Sequence, residues 1–159
     1  MDSKVELYLK RADDELLLAK INFDISTKKQ LKELFKIPFD KTFFNDVISE
    51  AYYSIFYSAK SYLLSKRIET SAPEEHKKTY EEFKKFVENG ILGGELLEIY
   101  DIEVGKAEAL LKILFKEKGK RGRFTYNINS NANIPVAMNS IQNAKKFASI
   151  IKVIINKKE

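Results

Sequence analysis

Val47-Ile48-Ser49-Glu50-Ala51-Tyr52-Tyr53-Ser54-Ile55-Phe56-Tyr57-Ser58-Ala59-Lys60-Ser61-Tyr62-Leu63-Leu64 is the stretch whose reading decides the fold. Val47-Ile48, Ala51-Tyr52, Ile55, Ala59 and Tyr62-Leu63 recur at three- and four-residue spacing, which is one face of a helix. That periodicity predicts a helix from about Thr42 to Lys66. Ala51, Ser54, Ser58, Ala59 and Ser61 are small, so neighbouring helices can approach closely. Tyr52, Tyr53, Phe56 and Tyr57 form an aromatic belt whose hydroxyls need partners wherever they are buried. Core or interface packing is the plain reading of such a belt, and ligand stacking the alternative.

The flanking segments repeat the pattern. Ser3-Lys4-Val5-Glu6 has the spacing of a capping box, and Val5, Leu9, Ala12, Leu16, Ala19 and Phe23 then predict a first helix ending near Asp24 or Ser26. A short helix over Gln30 to Lys36 should be stopped by Pro38. Phe35, Phe39, Phe43 and Phe44 give the 27–44 connector too much apolar surface for a loose linker.

After the central helix, Ser71 as N-cap and Pro73 with two glutamates predict a helix running to about Glu88, stopped at Asn89-Gly90. His76, the only histidine, falls in its first turn, where the positive helix end lowers its proton affinity. Leu96-Leu97, Tyr100, Val104, Ala107, Leu110-Leu111 and Leu114 mark a helix from about Gly94 to Lys116, with a break between Tyr100 and Gly105 left open. Asn127 to Asn133 should be irregular. Pro135 suits the first turn of a last helix that turns Val136, Ile141, Ala144, Ala148, Ile151 and Ile154-Ile155 inward.

The fold class is therefore all-α: a single domain over 1–159, an up-and-down bundle of four to five main helices with a short extra helix in the 27–44 connector. At 159 residues such a chain buries enough core without staples. It has no cysteine, which excludes disulfides, thiolate metal sites and a cysteine nucleophile. No apolar run reaches the roughly 18 residues of a membrane span, and Met1-Asp2-Ser3 starts no secretory signal. A soluble, cytoplasmic protein without membrane association is expected. Phosphate-binding glycine motifs, two-histidine zinc spacing and nucleophile elbows are all missing, so neither a metal nor a cofactor is implied.

Charge is uneven. From Gly105 onward twelve Lys and Arg face three Glu, a balance of +9, and the whole chain carries +5, so the remainder is at −4. A basic half suggests a polyanion partner such as RNA, or an acidic protein surface; a solvated lysine-rich face is the alternative. The densest cations lie in Lys116-Glu117-Lys118-Gly119-Lys120-Arg121-Gly122-Arg123-Phe124-Thr125-Tyr126-Asn127. Lys118, Lys120, Arg121, Arg123, Tyr126 and Asn127 are the candidate RNA- or nucleotide-binding residues, with Arg121 and Arg123 able to clamp a phosphate oxygen pair. Structural roles compete: the arginines can cap carbonyls of the preceding helix, and Tyr126 can pack a bundle end.

Three stretches in order, Ser49 to Leu64, Ala72-Pro73-Glu74-Glu75-His76-Lys77, and Arg121-Gly122-Arg123-Phe124-Thr125-Tyr126, resemble the HEPN superfamily, most closely its small stand-alone prokaryotic branch. The resemblance implies a helical bundle that dimerises, with a polar motif from each subunit lining a shared cleft. It also implies RNA or nucleotide binding, in some members within a toxin and antitoxin pair with a nucleotidyltransferase. Many HEPN domains are metal-independent endoribonucleases whose arginine stabilises the phosphorane and whose histidine, four to six positions on, moves protons. Here Arg121 matches the arginine, Gly122 replaces a polar residue, and Tyr126 stands near the histidine's place. A tyrosine is a poor general base at neutral pH. The catalytic candidates are thus Arg121, Tyr126 and, from elsewhere in the chain, His76. A helical protein-interaction domain is the remaining alternative.

Overall fold

Helix α3 (Phe44–Ser65) is the element on which the others assemble. Ala51, Ile55, Ala59 and Leu63 are fully buried, as are Ser54, Ser58 and Ser61. The small residues bring α1 (Ser3–Thr27) close enough for α3 hydroxyls to donate to its backbone: Ser54 Oγ to Ala12 O at 2.8 Å, and Ser61 Oγ to Val5 O at 2.9 Å. Because residue number rises along one helix as it falls along the other, the two are antiparallel.

The structure is a computed structural model that describes residues 2–118 and 130–157, with side chains from 2 to 110 and from 134 to 157. The described residues form six helices: α1, the short α2 (Lys29–Leu34), α3, α4 (Glu75–Glu88), α5 (Gly94–Lys118) and α6 (Ser130–Asn156). The long helices α1, α3, α5 and α6 alternate in direction. Helix α6 returns along α5 through Asn143 Nδ2 donating to Glu103 Oε1 at 3.0 Å and Lys106 Nζ to Asn139 Oδ1 at 3.0 Å, and it meets α1 through Lys152 and Asp13. Helix α4 instead runs in the same sense as α3, laying His76 against Phe56 and Phe86 against Tyr62. The all-α bundle expected from periodicity is what the chain forms. No helix among the described residues is long and apolar enough to cross a membrane.

The boundaries show which local signals dominate. Asp2, not Ser3, is the N-cap of α1, its carboxylate accepting from Lys4 N at 2.9 Å. A carboxylate adds charge attraction to the helix dipole, which a hydroxyl lacks. Ser71 does not cap α4. That helix starts two residues beyond Pro73, with Glu74 left-handed at φ 57° as an N-cap without a side-chain bond. Helix α5 passes Gly105 without a break. Helix α6 begins at Ser130, so Ser130–Asn133 are helical rather than irregular and Pro135 lies inside the helix. Val136 is 40% exposed, and Ala137 takes the core position in its place. The face is set by Ala137, Ile141, Ala144 and Ala148 at four- and three-residue steps, which turns Val136 about 100° away.

Three helices end alike. After α2, α3 and α4, the residues Lys36, Arg67 and Gly90 are left-handed at φ 55°, 63° and 72°. The following N–H, from Ile37, Ile68 or Ile91, reaches back to the carbonyl of Lys32, Leu63 or Phe86 at 2.8, 3.0 and 2.9 Å. This is the Schellman arrangement, which satisfies carbonyls otherwise orphaned at a helix end. The connector after α2 is fixed by Lys32, a buried lysine whose Nζ donates to Phe39 O at 2.7 Å, and by Phe43 N donating to Ser26 Oγ at 2.7 Å.

Core aromatics join α3, α4, α5 and α6: Tyr62, Phe83, Tyr100 and Phe147 are all at most 1% exposed, with centroids 5.4 to 6.0 Å apart. Glu103 is buried beside them, its Oε1 accepting from Lys106 at 2.9 Å and Asn143. Its Oε2 and the Tyr100 hydroxyl have no hydrogen-bond partner among the described residues.

Candidate functional site: an aromatic cleft around His76

The aromatic run of α3 spreads round that helix at 100° per residue, so its members meet different neighbours. Phe56 points inward and is 2% exposed, while Tyr53, three residues earlier, is 39% exposed. The first turn of α4 lays the His76 ring flat on Phe56, centroids 4.0 Å apart and planes 16° apart. Tyr53 meets the same imidazole edge-on at 5.6 Å, and Tyr52 places its hydroxyl 2.8 Å from Nδ1.

Across from this cluster, α5 supplies Asp101, Val104, Ala107 and Glu108, and α4 adds Lys77 and Tyr80. Together they enclose a cleft of about 630 Å³. That volume lies in the range of small-ligand sites, which combine apolar walls with a few convergent polar groups. The Tyr80 hydroxyl donates to Asp101 Oδ1, both residues lining the cleft.

Burial sets the ionisation of these groups. It pushes the Tyr52 hydroxyl up to about 12, aided by Tyr53 and Glu108. Tyr80 is also pushed up to about 12, by burial first and then by its bond to Asp101. His76 moves down, again through burial first and then through the Lys60 ammonium, which is itself paired with Glu75. The cleft therefore presents protonated phenols beside an imidazole biased towards its neutral form. Tyr52 Oη and His76 Nδ1 share one hydrogen bond, whose donor is set by the tautomer of the imidazole.

A belt of half-exposed rings continues from the cleft onto α1. Tyr57 stacks between Tyr53 at 6.3 Å and Tyr8 at 6.0 Å, and the Arg11 guanidinium lies 4.9 Å from the Tyr57 centroid.

Of the residues singled out from sequence, His76 is placed here, in the first turn of α4 as expected, with the tyrosine belt as its surroundings. Lys118 ends α5, with its side chain outside the described set; Lys120, Arg121, Arg123, Tyr126 and Asn127 lie outside the described residues. Sequence reading missed Tyr80, Asp101 and Glu108. The signal for Tyr80 was present, since it follows His76 by four residues and so shares its face. Asp101 and Glu108 reach the cleft only through the packing of α5 on α4. Among the described residues no group of three or more His, Asp or Glu is placed to hold a metal ion.

Fold and site together define a class: an all-α bundle with an aromatic cleft built round one histidine. No family model matches the chain, and no curated protein matches it.

Proposed function

We propose that this chain is a HEPN-like module that binds RNA or a nucleotide, with a base against the Tyr53–His76 edge of the cleft and phosphates on the cations of segment 118–127. The observation that carries the reading is the cleft itself, in which rings from α3 and α4 face carboxylates and apolar side chains of α5. Every nucleobase has a face to stack, and an aromatic side chain contributes about 1–3 kcal/mol per base. Helix α5 continues ten residues past Glu108 to Lys118, about 15 Å at the rise of an α-helix. The densest cationic run in the sequence follows directly. In this reading aromatic and cationic parts act on one strand.

Fluorescence anisotropy with single-stranded RNA and with mononucleotides, across a salt series, tests it. Arg121→Ala should weaken binding and reduce the salt slope by about one, as one lost phosphate contact predicts. Tyr53→Ala should weaken binding with the slope unchanged. If neither variant alters affinity, the proposal is wrong.

The state of His76 favours a second reading, metal-independent endoribonuclease activity. With Nδ1–H donating to the Tyr52 oxygen, the Nε2 lone pair of a neutral imidazole can accept the proton of an RNA 2′-hydroxyl as that oxygen attacks the adjacent phosphorus and the bond to the 5′-oxygen breaks, the leaving oxygen taking its proton from water. Arg121 would stabilise the charged phosphorane, and Tyr126 would hydrogen-bond a phosphate oxygen. RNA incubated with the protein and a chelator should then give 2′,3′-cyclic phosphate ends. Cleavage that survives both His76→Gln and Arg121→Ala would rule this site out. In the same proposal the protein partner is a nucleotidyltransferase, as the HEPN resemblance implies, and co-elution of the two after co-expression checks the pairing.

A further inference from the structure

Among the described residues, Lys32 is a positive charge buried without an opposite one. It is 5% exposed, and its Nζ donates to Phe39 O at 2.7 Å. Its neighbours Lys28 and Lys29 find carboxylates, Asp24 at 3.2 Å and Glu33 at 3.9 Å, whereas no ion pair among the described residues includes Lys32. No acid occurs in 118–133 either. A buried ammonium is tolerated when it is paired and its donors are used, and one carbonyl uses one of its three N–H groups. Two donors remain.

Lys32 and Phe39 border a pocket of about 430 Å³, which Ser26 and Thr27 of α1, Lys29 of α2, Phe44 and Ile134 complete. Ser26 and Thr27 give their hydroxyl protons to Asn22 O at 2.6 Å and Phe23 O at 2.9 Å. The lysines are therefore the wall side chains with donors left. Lys29 stands three residues before Lys32, on the same helix face, with its Nζ 5.6 Å from the Phe39 centroid. The walls thus carry two positive charges and no acid; the carboxylates nearest in sequence, Glu33 and Asp40, do not line the pocket.

Such a pocket is complementary to a dianion. A phosphate monoester carries about two negative charges near neutral pH and three strong acceptor oxygens, whereas a carboxylate would leave one ammonium unmatched. The pocket is also larger than a phosphate group, and Phe39, Phe44 and Ile134 give it apolar walls. We infer that it binds a small organic phosphate, with the dianion on Lys32 and Lys29 and the organic group against Phe44 and Ile134. The site shares no residue with the His76 cleft, so it does not depend on RNA binding there.

Amide chemical shifts followed at fixed ionic strength, with phenyl phosphate, inorganic phosphate and benzoate as probes, test the site. Phenyl phosphate should bind saturably and shift the amides of residues 26–32 and 39–44. Inorganic phosphate should bind more weakly for want of the apolar contact, and benzoate about tenfold more weakly than phenyl phosphate, having one charge fewer. Benzoate as tight as phenyl phosphate would overturn the dianion, and inorganic phosphate as tight would overturn the organic group. Lys32→Met keeps the side chain's length without its charge and should abolish binding. That variant also loses the bond to Phe39 O, so Lys29→Met supplies a second measurement: its side chain is 74% exposed, and the fold does not rest on it. Affinity for phenyl phosphate should fall about tenfold there, as one charge-assisted hydrogen bond is lost. Unchanged affinity in Lys29→Met, or shifts that centre on Tyr53 and His76 instead of the pocket, would overturn the assignment.

Discussion

His76 is the residue at which fold and chemistry are most closely coupled, and its ionisation links the cleft to stability. Burial and Lys60 lower its proton affinity below the ordinary value of 6.5. Above that pH both folded and unfolded chains hold a neutral imidazole, so the group has no effect. As pH falls through 6.5 the unfolded chain binds a proton that the folded chain refuses, and stability drops until the lowered folded value is passed. Glu15 and Glu50 act with the opposite sign: burial raises their carboxyls above 4.5, so acidification protonates the folded form first. Both are retained in a His76→Gln variant and cancel in the comparison. The melting temperature of wild type should therefore fall relative to His76→Gln between pH 7 and pH 5; a constant difference would show that the ring is solvated like a free histidine. The position of His76 in a helix first turn was legible in the sequence, as was the need of the tyrosine hydroxyls for partners. That Tyr52 in particular would meet His76 was not, because the separation of 24 residues is closed by the doubling back of 66–74.

At the scale of elements, the helix ends give the cleanest energetic test. Three Schellman ends use three different residues at the left-handed position, and only Gly90 is free of the steric cost. A side chain there costs about 1–2 kcal/mol, partly offset by the greater freedom of glycine in the unfolded chain. Arg67→Gly should thus stabilise the protein by about 0.5 kcal/mol. Gly90→Ala, where an added Cβ meets nothing within 4 Å, should cost about 1 kcal/mol from conformation alone. Urea titrations that showed the reverse order would mean these ends are held by something other than backbone geometry. Packing between elements is tested at Ala51, which has no exposed surface. Ala51→Leu should cost about 1–3 kcal/mol by forcing neighbouring elements apart, and a neutral result would mean they are not in close contact at that point. The apolar stripes of α1 and α3 were readable from period alone because each buries one wide face. On α6 the expected core positions Ile141, Ala144, Ala148, Ile151 and Ile155 are buried, and only Val136 departs, because Pro135 invites a helix start that the chain places five residues earlier. The buried Glu103 of α5 was not foreseen either, since a carboxylate interrupts an apolar stripe and only its partners on α6 and one turn along α5 make the position tolerable.

For the whole molecule, the bundle is layered in stability around α3, and this decides which parts of the cleft are fixed. Helix α3 touches α1, α4, α5 and α6, and it is buried on most of its circumference from Ala51 to Leu63. Its amides can exchange with solvent only when several interfaces open together. Helix α2 and the connector that follows rest chiefly on α1, and Leu34, Phe35 and Phe39 are 71%, 59% and 61% exposed. They bury too little to share the global transition. Native-state hydrogen exchange should accordingly find the amides of Ala51–Leu63 protected to the full unfolding free energy, with their exchange rising steeply in denaturant. The amides of α2 should exchange through local opening that is nearly insensitive to denaturant. Helix α4 should fall between, since it packs mainly on α3 and α5 and reaches α6 through Phe83 against Phe147. On that ordering Tyr52 and Phe56 stand on the most rigid element, and His76 rests against them from a less stable one. A ligand that stacks on His76 and Tyr53 would draw α4 into the slow-exchanging set, while α2 would keep its rate. Equal protection of α2 and α3 in the free protein would contradict the layering and make the connector part of the same cooperative unit.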